Sequence, residues 1–110
     1  MAVNFRTGKY DTARHTPGSA ITAGDVVELG TTLCGIAHQD IAANVEGILA
    51  VGGGVYDAPA TSGDVIAAGD KLYWNGTVAE EASSGGVPLG YCVEPKADGE
   101  TTIRFRHDSW

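Results

Sequence analysis

The sequence predicts an all-β protein: a small, Gly-rich closed barrel or sandwich built from two loosely repeated β units, with little helix. Three observations carry that expectation. Glycine supplies 16 of the 110 residues, about twice the usual share of roughly 7%, and only 19% are charged, so the chain is rich in turns yet able to bury a core. The stretch Ile66-Ala67-Ala68-Gly69-Asp70-Lys71-Leu72-Tyr73-Trp74-Asn75-Gly76-Thr77-Val78 reads as turn, strand, reversal and returning strand. Asn75 and Gly76 tolerate the positive φ that a type I′ hairpin turn requires. The opening of that stretch also occurs earlier: Ile21-Thr22-Ala23-Gly24-Asp25-Val26-Val27 matches Ile66-Ala67-Ala68-Gly69-Asp70-Lys71-Leu72 in its leading Ile, its Ala-Gly-Asp and the apolar residue that ends it.

Residues 1–16 hold Phe5 and Tyr10 among Arg6, Lys9, Arg14 and His15. They form either a first strand or an arm that docks on a partner, ahead of a single β domain over residues 17–110. Pro17-Gly18-Ser19 closes the segment as a loop. In Gly24-Asp25 and Gly69-Asp70 the glycine accepts positive φ and the aspartate bonds nearby backbone, so both pairs read as turns that start strands. Residues 33–38 form a strand around Cys34, and Ile41-Ala42-Ala43 offers one helical turn at most. Residues 44–51 are nearly all apolar after Glu46, the pattern of a central strand buried on both faces.

Gly52-Gly53-Gly54 permits a bend or a loop, with Val55-Tyr56-Asp57 continuing the strand beyond it. In the hairpin, Leu72 and Trp74 share one face, so only one of the adjacent Tyr73 and Trp74 can be buried by the sheet. Residues 79–86 are small and polar and read as an exposed loop, and residues 87–93 form the next strand. After an Asp98-Gly99 turn, the last strand puts Thr101, Ile103, Phe105 and His107 on the core side and Thr102, Arg104 and Arg106 outside.

Composition also narrows function. A net charge of −7 opposes a sequence-independent grip on phosphates, so no nucleic acid is expected as a partner. No apolar run is long enough to cross a membrane, and residues 1–6 lack the apolar core of a secretory signal. Cys34 and Cys92 read as two reduced, buried thiols. There is no Gly-x-Ser-x-Gly elbow, no His-Glu-x-x-His and no phosphate-cradling loop. Cys34 with His38 is half of a zinc site at best, and Asp25, Asp64 and Asp70 stand outside any Asp-x-Asp-x-Asp series. No catalytic residue, cofactor or metal is expected. A small β-barrel carrier, or a ligand- or sugar-binding module, is the competing reading. Against the carrier, Lys71 starts a strand while Asn75-Gly76 holds the hairpin tip where a modified lysine should sit.

In order along the chain, Asn4-Phe5, Ile21-Thr22-Ala23-Gly24-Asp25-Val26-Val27, Gly35-Ile36-Ala37, Val45-Glu46-Gly47-Ile48, Ala67-Ala68-Gly69-Asp70-Lys71-Leu72-Tyr73-Trp74, Leu89-Gly90-Tyr91-Cys92 and Thr101-Thr102-Ile103-Arg104-Phe105 resemble the capsid cement, or head decoration, proteins of phages and prophages. The resemblance implies a non-enzymatic virion protein, a β-rich homotrimer that strengthens the lattice of the major capsid protein. It would sit on the virion capsid surface, after assembly in the bacterial host cytoplasm. That family has no defining active site, so the matched positions are framework only. Phe5, Arg6 and Tyr10 are the candidates for capsid contact, and deleting residues 1–16 is expected to abolish capsid binding while sparing the fold.

Overall fold

The glycine run that the sequence leaves between bend and loop lies inside the longest strand of the protein, β4, Gly47–Pro59. Residues 3–81 and 86–108 are described by a computed structural model of the chain. Before β4 come β1 (Asn4–His15), β2 (Val26–Leu29) and β3 (Leu33–Ala37). After it come β5 (Lys71–Trp74), β6 (Ala79–Glu80), β7 (Val87–Cys92) and β8 (Thr102–His107). Every ladder is antiparallel. The strands lie in the order β2-β3-β4-β8-β7-β5-β6, with β1 on the other edge of β4, and among the described residues there is no helix.

The result is a half-barrel: one sheet that curls. A closed barrel or sandwich was expected, but no ladder joins β2 to β6 among the described residues, and β6 reaches the end of β4 only through the single bridge of Ala79 to Ala60. β6 has only two residues, too few backbone groups to knit such a seam.

β4 is central, as its apolar run requires. One of its edges carries β1 along almost its whole length, while the other carries β3 at Leu49 and Ala50 and then β8 from Val55 to Pro59. Leu49 and Ala50 are adjacent and both buried, so this part of β4 is covered on both faces. Leu49 joins Ala37 and Ile41 in a small cluster flanked by Ile21, Val27, Leu29 and Val51. Ala50 belongs to the main core with Ile36, Tyr56, Leu72, Trp74, Leu89, Ile103 and Phe105. The final strand alternates as expected at Ile103, Phe105 and His107, which are buried, whereas Thr101, also assigned to the core side, is exposed and precedes the strand.

Both Ala-Gly-Asp turns form, and their bonds correspond. Asp25 Oδ2 accepts the Thr22 N–H at 2.9 Å and Asp70 Oδ2 the Ala67 N–H at 3.1 Å. Gly24 and Gly69 share φ = 93°. Their N–H groups donate to Ala37 and Cys92 at 2.7 and 2.6 Å. Across from each turn lies another, through the bridges Ile21 to Ile41 and Ile66 to Lys96. The single helical turn allowed at residues 41–43 is instead a reverse turn in which Val45 N–H donates to Ala42 at 3.2 Å and Asn44 takes φ = 63°. Asn tolerates that conformation, so no helix can propagate.

The hairpin tip also differs from expectation. It spans four residues, 75–78, because Trp74 pairs with Ala79. Asn75 Oδ1 accepts the N–H groups of Thr77 and Val78, both at 2.9 Å, and of the two tip residues only Gly76 has positive φ. The side chain thus replaces the two-residue type I′ turn with a locally bonded loop. Trp74 is the buried partner of the Tyr73-Trp74 pair. Ala79 and Glu80, assigned to a loop by their polar context, form β6. Of that expected loop, residues 82–85 lie outside the described residues, as do 109–110 of the C-terminal tail.

Both cysteines are free and buried. Burial raises both thiols, with Cys34 pushed up to about 12. An unexpected member of the interior is Lys96, 2% exposed. Its ammonium donates to the Asp64 carbonyl and, at 3.4 Å, to the Ala97 carbonyl. Replacing it with an isosteric apolar chain, Lys96→Met, strands those acceptors and should cost about 1–3 kcal/mol in a urea melt. A variant as stable as the parent would show that the ammonium holds nothing.

Candidate functional site

On β1 the sequence alone places Phe5 and Tyr10 apart. They are five residues apart, and in a regular strand an odd separation sends side chains to opposite faces. The register of β1 against β4, however, shifts between Phe5 and Thr7 and again between Thr7 and Tyr10. With Gly8, Gly53 and Gly54 all at positive φ, the backbone here departs from regular pleated alternation, and both rings arrive on one side, 5.4 Å apart and edge-to-face.

Two residues from elsewhere complete the cluster. His38, just past β3, stacks on Tyr10 at 4.2 Å and lies 4.9 Å from Phe5. Tyr56 of β4 sits beneath at 5.3 Å from Phe5, and its hydroxyl is 2.7 Å from His38 Nε2. Gly54 makes room for this arrangement: a Cβ there would stand 3.1 Å from Phe5 Cε1 and 3.2 Å from Tyr56 Cε1. Tyr56 then stacks on Phe105 and meets His107 edge-on, so the outer rings rest on the main core.

The electrostatics keep the cluster neutral at pH 7. Burial pushes the Tyr56 phenol well above its ordinary value and lowers His38 and His107. His107 Nε2 donates to the Cys34 carbonyl at 2.6 Å, which leaves its buried Nδ1 without a hydrogen-bond partner. Phe5 and Tyr10 remain 41% and 37% exposed, so the outer layer is a held aromatic surface.

Of the three contact candidates, the structure unites Phe5 and Tyr10 and separates Arg6. The Arg6 Nε lies 3.7 Å from Asp57 Oδ2, on a carboxylate already held by Arg104 at 2.8 Å. The turn candidates Gly24, Asp25, Gly69 and Asp70 shape strand starts, and Asn75 and Gly76 shape the β5–β6 tip, away from these rings. Sequence reasoning missed His38 and Tyr56 as members of the site. The available signal was Gly8 opposite Gly52-Gly53-Gly54, a concentration of glycine that marks bulged pairing.

The arrangement offers neutral aromatic surface on a strand bearing Arg6, Lys9 and Arg14 against one acid, Asp11. The phage cement protein family matches the chain over residues 5–107. This chain belongs to that family. No curated protein and no solved structure matches it. A phage cement protein is a structural component associated with a phage capsid, and this one carries its exposed aromatic surface on a strand that pairs with β4 alone among the described residues.

Proposed function

We propose that this cement protein decorates and stabilises the assembled capsid as a homotrimer, with Phe5 and Tyr10 docking on the lattice of the major capsid protein and Arg6 at the rim of the contact. One observation carries the reading: a family match over residues 5–107 meets two exposed aromatic rings fixed on the most exposed strand of the sheet. Aromatic anchors held in place before contact lose little freedom on binding. Repetition over a lattice then multiplies weak contacts into firm attachment. Within the trimer each β body is read as two copies of one turn-strand unit, a reading supported by the corresponding bonds of the Gly24-Asp25 and Gly69-Asp70 turns.

Deleting residues 1–16 would not isolate this contact. Val3 is buried, and β1 covers the edge of β4 from Gly47 to Asp57, so removing it strips the sheet. Point substitutions test the site instead. Co-sedimentation with capsids lacking the cement protein should show the double variant Phe5→Ala, Tyr10→Ala binding at least tenfold more weakly than the parent, with an unchanged circular dichroism spectrum. Undiminished binding by that variant would remove β1 from the contact.

A further inference from the structure

Because the half-barrel does not close, a cleft remains between the two ends of its sheet. β2 stands at one end and the β5–β6 hairpin at the other, with no ladder between them among the described residues. The space they leave is about 440 Å³, with Val26 and Val27 of β2 on one wall and Trp74 and Gly76 of the hairpin on the other. Residues 15–19, at and beyond the end of β1, form its rim. None of these residues belongs to the cluster of Phe5, Tyr10, His38 and Tyr56. The mouth of a curled or closed sheet is a usual place for a small-molecule site.

Trp74 supplies the group that asks for a ligand. It is only 4% exposed, yet no described residue accepts a hydrogen bond from its indole N–H. Among the described residues, the one sealed side-chain nitrogen or oxygen without a partner is His107 Nδ1. The indole N–H is therefore not shut inside the core; it opens on the cleft that Trp74 lines, as a donor awaiting an acceptor.

The remaining lining narrows the chemistry. Asp25 Oδ2 accepts the Thr22 N–H at 2.9 Å, which fixes the carboxylate and leaves Oδ1 to accept from a ligand. That negative charge, on a chain of net charge −7, opposes a phosphate or carboxylate ligand. The indole N–H is a donor only and gives a cation no acceptor, whereas the Ser19 hydroxyl both donates and accepts. A donor, an acceptor and a hydroxyl set around Val26 and Val27 match a neutral molecule that carries hydroxyls on an apolar C–H framework.

We infer that the cleft between β2 and the β5–β6 hairpin binds a neutral saccharide unit, with Trp74 Nε1 donating to a sugar oxygen and Asp25 accepting from a sugar hydroxyl. This site is separate from the strand proposed for capsid contact and does not depend on that contact.

Proton–nitrogen NMR of the indole groups tests it, with glucose, galactose, mannose and N-acetylglucosamine as probes. The chain has two tryptophans, and Trp110→Phe identifies the Trp74 signal. At least one probe should move that signal saturably, with a Kd of about 1 mM. In calorimetry Trp74→Phe, which keeps a ring but removes the N–H, should bind that sugar about tenfold more weakly. Ser19→Ala should also weaken binding, and because Ser19 is exposed it decides the matter if Trp74→Phe does not fold. The uronic acid of the sugar that binds, with a carboxylate in place of its primary alcohol, should bind less tightly than the sugar itself. Absence of a saturable shift with every probe, parental affinity in either folded variant, or tighter binding of the uronic acid overturns the inference. The double variant Phe5→Ala, Tyr10→Ala should bind the sugar as the parent does; loss of sugar binding there would move the site to the aromatic cluster and overturn it as well.

Discussion

Gly90→Ala should cost about 3 kcal/mol or more, a large part of the 5–15 kcal/mol that holds a typical domain together. Gly90 lies in β7, paired with Leu72 of β5 on one side and with His107 of β8 on the other. A Cβ there would stand 2.0 Å from the Arg106 carbonyl oxygen, 2.9 Å from its carbon and 3.0 Å from Phe105 Cδ2. Two of these neighbours are backbone, so no side chain can swing away to relieve the clash. β8 cannot retreat either, because it is bonded to β4 from Val55 to Pro59. The ladder between β7 and β8 would have to open, loosening Phe105 and the Tyr56 ring stacked on it. Gly52→Ala is the matched control: a Cβ there meets nothing within 4 Å and its φ is ordinary. In urea melts the control should stay within about 1 kcal/mol of the parent. Equal midpoints for the two variants would show that β7 and β8 are not packed this closely.

Acid should weaken the protein through the buried His107 and the part-buried His38. His107 is fully buried, and burial lowers its pKa below the ordinary 6.5. A proton on its Nδ1 would have no acceptor there. The hydrogen bond from Nε2 to the Cys34 carbonyl and the charge of Asp108 favour the protonated form, whereas His38 opposes it. Desolvation outweighs the favourable pair. His38 is lowered as well.

The sign follows from where protons bind. Below pH 6.5 the unfolded chain takes up protons that the folded histidines refuse. Stability is therefore full above pH 6.5 and falls as the pH drops toward the lowered folded values, by at most about 1.4 kcal/mol per pH unit for each histidine. Urea melts of the parent should show lower stability at pH 5.5 than at pH 7.5. His107→Leu also loses the bond to Cys34, so its absolute stability falls, but its slope over that interval should be shallower than the parent's. An unchanged slope would clear His107 of the effect. Loss of the slope only on replacing His38 would move the titration to the outer ring of the aromatic cluster.

The same cluster marks how far sequence reading reaches. Turns were legible wherever a residue bonds its own neighbourhood, as Asp25 and Asp70 do, and so was the alternation of β8, which depends only on a period of two. The hairpin between β5 and β6 was legible in kind but not in detail, since either glycine conformation or side-chain bonding can reverse a chain at Asn75-Gly76, and Asn75 uses its side chain. Lys96 was unreadable as an interior group because polarity argues for the surface, and the carbonyls of Asp64 and Ala97 overrule it; His107 was legible only through the alternation of its strand.

By itself the sequence determined the all-β class, the Ala-Gly-Asp turns, the buried face of the last strand and, through the order of its motifs, the capsid family, because each is set by neighbours along the chain. Only the tertiary structure decided that the sheet is a half-barrel, that β1 belongs to it as a strand of β4, and that Phe5 and Tyr10 stand together over His38 and Tyr56. Those outcomes depend on register, and register is set between strands distant in sequence: the shifts in the pairing of β1 with β4, and the positive φ of Gly8, Gly53 and Gly54, break the alternation that a period of two predicts.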